Sequence, residues 1–433
     1  PVYQSWGRYP RAEHTRVVPV LWRSDPPRLD DVAEKVLPYA YGRSYGDSCL
    51  NAGGALLDVS RLRRFITFDE ARGILRCEAG VTLAEVLALV VRRGWFLPVV
   101  PGTKWVSIGG AIANDVHGKN HHRAGTFGNH VTCFELLRST GERILCSPDR
   151  NVDLFRATIG GLGLTGLILW AEFRLKRIPG SRIAMERIRF RSLNEFLQLS
   201  QDDGEYEYTV AWVDCLARGR ALGRGLFLRG DHVAGAEQAR GDGRPAVRVP
   251  VDLPSGVIGR ATTKVFNTLY YRARLRSRQT RTVSYEPFFF PLDGIGAWNR
   301  LYGARGFLQY QCVTPGDSES AIAELLEQVA RSGETPALAV LKKFGRIPSP
   351  GMLSFPRPGI TLAIDFAMRG STTLDLLERL DGIVTGAGGA VYPAKDARMS
   401  GPSFQRFFPN WESFASHIDP KFSSSFWRRV TEA

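Results

Sequence analysis

The stretch "GGAIANDVHGKNHHRAGTFGNH", Gly109 to His130, constrains this chain more than any other. Glycine gives up backbone stability because it loses the most conformational freedom on folding. A dense cluster of glycines therefore marks backbone that must approach something closely. Interleaved His117, Lys119, His121 and His122 indicate that this something is polar. Two more glycine clusters flank the stretch in order, "YGRSYGDS" at Tyr41–Ser48 and "GGLGLTG" at Gly160–Gly166. In the first, Gly42 and Gly46 free the backbone to curl, so that successive N–H groups form a nest suited to a diphosphate.

The third cluster contains GxGxxG, the fingerprint of a dinucleotide-binding Rossmann turn. That motif needs a strand before it, a helix after it and an acid about 20 positions on. Here the preceding "DLFRATIGG" reads as a helix and the following "LILWAEFRL" as a strand. Glu186 stands at the right distance but across the wrong elements. A tight turn pressing backbone against a ligand or a strand fits better.

With 433 residues, 44% hydrophobic and 23% charged, the chain can bury a large core in two to three domains. No uncharged apolar run is long enough to span a membrane. The opening "PVYQSWGRYPRAEH" has the form of neither a signal nor a transit peptide. Six scattered cysteines without CxxC or ligand spacing read as reduced thiols. The histidine cluster lacks any cysteine pair or HExxH spacing, so no metal is expected.

The formal charge of +14 speaks of partners, not of fold. Nucleic acid, an anionic membrane or a phosphate-bearing substrate would each suit it. The excess is densest in "YYRARLRSRQTR", where an extended segment would carry Arg272, Arg274, Arg276 and Arg278 on one face. This reads either as a solvated loop or, with its apolar lead-in "VFNTLYY", as a lipid-surface element. No stretch interleaves aromatics with a basic groove in the manner of single-strand binders, which argues against nucleic acid.

Residues 1–180 alternate short strands with helices. "VTLAEVLALVVRRG" carries a capping box, Thr82 with Glu85, and stops at Gly94. Residues 181–389 are strand-rich, with helices in "SLNEFLQLSQ", "SESAIAELLEQVARSG" and "STTLDLLERLDGIV". Helices returning onto one sheet indicate an α+β domain with one covered face. Residues 230–250 read as a long surface loop.

Taken together, "GRSYGD", "PGTKWVSIGGAIANDVHGKNHH" and "GGLGLTGLI" resemble the FAD-binding half of the vanillyl-alcohol-oxidase/p-cresol-methylhydroxylase flavoprotein superfamily. Within it, "HGKNHHRAGTFGNHV", "FFFPLDGIGAWNRLYGARGFLQYQ", "LSFPRPGITLAIDF" and "VYPAKDARM" resemble the decaprenylphosphoryl-β-D-ribose 2′-oxidase family over nearly the whole chain. The resemblance implies an α+β, two-domain fold: residues 1–180 bind FAD, 181–389 form an antiparallel-sheet substrate domain, and 390–433 return to the FAD domain. It implies oxidation of the ribose 2′-hydroxyl of a polyprenylphosphoryl ribose. A separate NAD(P)H-dependent keto-reductase would complete epimerisation to an arabinose donor for cell-wall arabinan. It also implies a bacterial enzyme, cytoplasmic or in the cell envelope, peripheral at the membrane.

By resemblance, Gly42, Arg43, Ser44, Tyr45 and Gly46 cradle the FAD diphosphate. Gly102, Thr103, Ser107, Gly109, Gly110, Ala113, Asn114, His117 and Gly118 lie along the cofactor, and Gly163, Ile168, Tyr392 and Lys395 complete its site. Tyr45 stands where some superfamily members carry a histidine bonded to the flavin, so FAD is expected to be non-covalent. Lys395 corresponds to the family's active-site lysine and would stabilise negative charge on the reduced flavin or orient the hydroxyl. His117 and Lys119 are candidates for proton handling and phosphate contact. Substrate contacts are expected from Lys119, Phe289, Gln309, Gln311, Lys342, Phe344, Thr361 and Ala363. Gln309 and Gln311 share one strand face, as do Lys342 and Phe344; the glutamines could equally be edge-strand surface residues. His121, His122 and His130 could be satisfied loop histidines.

Some positions depart from the family. Ala363 replaces a cysteine that nitroaromatic inhibitors attack in the mycobacterial members. Thr361 replaces an asparagine, Phe289 a tyrosine and Asn114 another cysteine. None of these supplies the hydride acceptor, so the flavin chemistry is expected to survive while the identity of the sugar or prenyl chain stays open. The same-fold alternative is an oxidase of a soluble sugar or aldonolactone.

Overall fold

Besides a two-stranded ladder of Trp95–Phe96 with Lys176–Arg177, apolar runs in the first 180 residues form two small sheets. The computed structural model describes residues 2–201, 205–234, 247–254, 259–272, 277–316, 318–336 and 338–432. Ala55–Asp58 lies between Arg16–Pro19 and Val36–Tyr39 in a three-stranded parallel sheet. Its continuous "ALL" is the pattern of a strand buried on both faces. Phe65–Asp69, Ile74–Glu78, Leu167–Arg174, Val131–Leu137 and Arg143–Cys146 form a five-stranded antiparallel sheet in that order. The helix Leu83–Val90 starts at the expected box: Thr82 accepts from the Glu85 N–H and Glu85 accepts from the Thr82 N–H. Gly94, at φ 77°, ends the short turn that follows.

A larger sheet of eight strands follows, in the order Arg278–Ser284, Arg182–Phe190, Gly225–Val233, Tyr208–Val213, Ala339–Phe344, Gly359–Ala367, Phe307–Thr314 and Ala390–Val391. Every neighbouring pair is antiparallel. Successive residues of a strand point to opposite faces. One face carries Phe227, Leu341 and Leu362, which share a core with Phe196, Leu325 and Leu377 of the helices Leu193–Gln201, Glu319–Arg331 and Ser371–Gly386. The opposite face, with Gln309, Gln311, Lys342 and Asp365, looks into a cavity. This is the single covered face expected for the α+β domain.

Two local expectations change. The lead-in to the arginine-rich run is not extended. It forms the helix Arg260–Arg272, because Val265, Phe266, Leu269 and Tyr270 recur at helical spacing. Arg272 ends that helix and Arg278 starts a strand, so these two do not share an extended face; Arg274 and Arg276 lie outside the described residues. In the expected loop 230–250, the strand Gly225–Val233 continues through the first residues and Val247–Arg248 pairs with Ile295–Gly296. Residues 235–246 lie outside the described residues.

GLGLTG is followed by the strand Leu167–Arg174, and Glu186 forms ion pairs with Arg229 and Arg278. A Rossmann reading is thereby excluded. The chain leaves the large sheet after Val391, two residues later than expected, and runs back to the small parallel sheet. Phe422 bridges to Val36, and Arg429 holds both Asp47 (2.7 Å) and Asp396 (2.9 Å).

Candidate active site

A cavity of about 1500 Å³ opens between the two small sheets and the bare face of the large one. A site for one drug-sized ligand occupies roughly 300–1,000 Å³, so there is room here for a cofactor and a substrate together.

The three glycine clusters meet on its first wall. The turn after Val36–Tyr39 places Gly42 at φ 57°, where a Cβ would overlap the Tyr39 hydroxyl and the Gln4 carbonyl. Tyr45 N–H donates to Ala394, but the N–H groups of Gly42, Arg43 and Ser44 have no partner among the described residues. Ser107 caps the short helix Ile108–Ala113 by accepting from Gly110 N–H at 3.1 Å. The GLGLTG turn docks on that helix through Gly160 N–H to Ile112 O (2.9 Å) and Leu162 N–H to Ala113 O (2.8 Å). Gly102, Thr103, Gly109, Gly118, Gly163 and Ile168 line the cavity.

The second wall carries the polar chemistry. Strand pairing sets Gln309 opposite Asp365 and Gln311 opposite Ala363. Gln309 donates to Asp365 Oδ1 at 2.5 Å, and the Tyr302 hydroxyl reaches Oδ2 at 3.4 Å. The Thr361 hydroxyl donates to Cys312 O (2.8 Å), so its oxygen accepts one amide hydrogen of Gln311 (3.0 Å). The other amide hydrogen points at His117 Nε2 (2.9 Å). This assigns His117 as the Nδ1–H tautomer. His117 Nδ1, Gln311 Oε1 and Arg43 Nε are buried polar atoms without a partner among the described residues. Buried polar groups are normally paired, so such atoms facing a cavity call for a polar ligand.

Three lysines converge here: Lys119, Lys342 and Lys395. Each faces the cavity and not bulk water. Desolvation pushes the Lys119 and Lys342 ammonium groups down to about 7, and at Lys342 the charges of Lys395 and Lys119 add to it. Desolvation also lowers Lys395, with the Asp365 carboxylate opposing. Burial raises Asp365, against Gln309 and Lys395. His117 is driven well below its usual range by burial and then by Lys342 and Lys395, so it is neutral near pH 7.

Residues 31–147 match the FAD binding domain family. The chain is 34% identical to the decaprenylphosphoryl-β-D-ribose oxidase of Mycolicibacterium smegmatis, over 98% of its own length and 96% of the relative's. It belongs to that oxidase family. As a member it is an FAD-dependent oxidoreductase. The human Δ(24)-sterol reductase is 33% identical over 30% of this chain, and a putative D-arabinono-1,4-lactone oxidase of Neurospora crassa is 31% identical over 30%.

The residues of this flavoprotein fit FAD on their own chemistry. The unpartnered N–H groups at 42–44 suit a diphosphate, and the unpaired atoms of His117, Gln311 and Arg43 suit a polar ring system.

Most of the residues singled out in the sequence line the cavity; three do not. Gly46 packs on the Asp396 carbonyl, where a Cβ would overlap it. Phe344 lies behind His117, ring centroids 4.9 Å apart, although Lys342 on the same strand faces the cavity. Thr361 sits beneath Gln311. Phe289 lines the cavity while packed among Phe96 and Tyr208.

Tyr392 donates to Asn114 O at 2.7 Å, and its carbonyl accepts from Lys395 N–H at 3.1 Å. It therefore braces both the end of the helix Ile108–Ala113 and the lysine turn. Gln309 and Gln311 belong to an interior strand and are not surface residues. His121, His122 and His130 each bond backbone at Gly345, Tyr206 and Ala124. No cluster of metal-ligating side chains occurs among the described residues.

Asp365 was missed in the sequence. The signal was present: an acid in the apolar run "TLAIDF", two positions beyond Ala363 and so on the same face.

Proposed function

We propose that this enzyme oxidises the ribose 2′-hydroxyl of a polyprenylphosphoryl-β-D-ribose to the 2′-ketone. The observation that carries the reading is the convergence of three lysines on one cavity with the flavin-loop glycines. A soluble neutral sugar or lactone has no use for so many desolvated cations, whereas a phosphate diester does. The likeness to the lactone oxidase covers only 30% of this chain.

Bound FAD supplies the hydride acceptor for C2′–H. Lys119 and Lys342 hold the phosphate. His117 Nδ1–H and Gln311 Oε1 offer one donor and one acceptor to orient the bound groups. Lys395, lowered by desolvation, accepts the hydroxyl proton at Nζ, and Asp365 steadies the ammonium that results. The charge so created opposes the negative charge that accumulates on reduction, when stabilisation counts most. Tyr45 offers no histidine nitrogen for a covalent link, so FAD is held non-covalently.

The substrate's lipid tail places the enzyme at a membrane surface. Val265, Phe266 and Leu269 are exposed on one helix of a strongly cationic protein, which suits an anionic bilayer. No helix of the described residues is long and apolar enough to cross a membrane. An NAD(P)H-dependent keto-reductase is the reaction class that consumes the 2′-ketone and yields the arabinose epimer.

The test is an anaerobic titration followed in the visible spectrum. Flavin bands that bleach with polyprenylphosphoryl ribose, and not with free ribose or an aldonolactone, are the expected result. Bleaching with the lactone alone would overturn the substrate assignment.

A further inference from the structure

The chain turns back just before His117, and it does so on a strained residue. Asp115 follows the helix Ile108–Ala113 at φ 40°, on the left-handed side that side chains rarely enter. Such backbone persists where the surroundings over-determine it. The Asp115 N–H donates to Ile112 O at 3.0 Å, and the residue is fully buried. Its Oδ1 accepts from Gly128 N–H at 2.9 Å. Its Oδ2 accepts from the hydroxyls of Ser349 and Ser354, the latter at 2.6 Å. The two serines also bond each other at 2.7 Å, and Ser349 accepts from Gly351 N–H at 3.1 Å. Hydrogen bonds to a carboxylate are the strong kind, and a buried network with its members satisfied is rigid.

Ser349 and Ser354 lie in the loop between the strands Ala339–Phe344 and Gly359–Ala367. Two rings at the ends of that loop bracket the His117 imidazole. Phe344 meets it edge-on at 4.9 Å, and Phe355 lies tilted to it at 5.7 Å. Phe355 stacks in turn on Tyr392 at 4.7 Å. One carboxylate thus ties down both the turn that delivers His117 and the loop whose rings flank it. The imidazole meets Gln311 at Nε2, and its Nδ1 has no partner among the described residues. Backbone and packing must therefore set much of its orientation.

We propose that Asp115 is a positioning residue for His117, holding the ring so that Nδ1–H is presented to the bound ligands. Asp115 lies outside the cavity lining, so it acts through the histidine. The inference rests on the reading of His117 as a group that orients those ligands. Two features support it: the strained residue stands two positions before His117, and both halves of the anchor converge on that one ring. A misplacement of about 1 Å in such a group can cost about 10²-fold in rate.

The first arm of the test is a double-mutant cycle. The rate of anaerobic flavin bleaching by prenylphosphoryl ribose, per bound FAD, is measured for Asp115→Asn and Ser354→Ala, each alone and each combined with His117→Ala. Either change alone should slow bleaching at least about tenfold. In the His117→Ala background it should cost no more than about twofold, because its route is already gone. Equal losses in both backgrounds, or a full rate in both single variants, overturn the proposal. Ser354→Ala keeps the carboxylate and its bond to Gly128, and it carries the cycle if Asp115→Asn does not fold. The second arm needs no substrate. In FAD-loaded enzyme labelled with nitrogen-15 histidine, the ring signal that His117→Ala deletes should report the Nδ1–H tautomer. Asp115→Asn and Ser354→Ala should move it towards a mixture of tautomers, and an unmoved signal overturns the anchor. A signal that moves as expected, in an enzyme whose flavin the sugar does not bleach, supports the anchor and overturns the sugar assignment instead.

Discussion

The role proposed for Lys395 is a change of charge, so a permanent cation in its place is the informative substitution. Arginine stays protonated throughout the accessible pH range. Lys395→Arg should keep the flavin spectrum yet lose about 10²–10³-fold in kcat, the size seen when a transition-state stabilising group is removed. Retained turnover would mean that the residue contributes only a fixed charge. Lys119 and Lys342 titrate differently in effect. With both pushed down to about 7, the free enzyme carries their charges below that pH and loses them above it. KM for the phosphate substrate should therefore rise between pH 7 and 9, and a KM flat over this range would remove them from phosphate binding. Ala363 offers no thiol to a nitroaromatic electrophile. The cavity's Cys49 is pushed up to about 12 by burial and stays protonated. Intact mass after exposure to a nitro-benzothiazinone should show no covalent adduct.

Short turns set the cofactor site, and single atoms limit them. Alanine at Gly42 would meet both a left-handed φ, costing roughly 1–3 kcal/mol, and two oxygen atoms. Gly42→Ala should therefore yield protein that fails to retain FAD; a yellow, stable variant would show that the turn has another way to close. These turns were legible in the sequence because glycine has few other reasons to cluster. The capping box at Thr82 was legible for a similar reason, since both partners lie within one turn. The helix Arg260–Arg272 was not, because its short helical stripe of Val265, Phe266, Leu269 and Tyr270 runs directly into arginines of period two. Thr361 and Phe344, expected to contact substrate, stand behind Gln311 and His117. Strand alternation says which side chains share a face, but it cannot say whether a residue touches the ligand or stands one layer behind it. Asp365 shows the converse, since the same alternation applied one step further would have included it.

At the scale of the whole molecule, residues far apart in the chain close the site. Arg429 joins Asp47, at the end of the first glycine turn, to Asp396, next to Lys395. Both carboxylates are buried, and removing one partner of such a cluster leaves charge without compensation. Arg429→Ala should lower stability by about 3 kcal/mol and loosen FAD with it. Thermal melts with and without added FAD would show this, and unchanged melting would mean that the C-terminal helix is dispensable.

The clamp also has a meaning for biosynthesis. Asp47 leaves the ribosome 382 residues before Arg429, so the turn that carries it cannot be locked until the segment with Arg429 has been made. Yellow colour then reports more than loading. It certifies that the chain has been made as far as Arg429, because shorter products leave Asp47 and Asp396 without that partner.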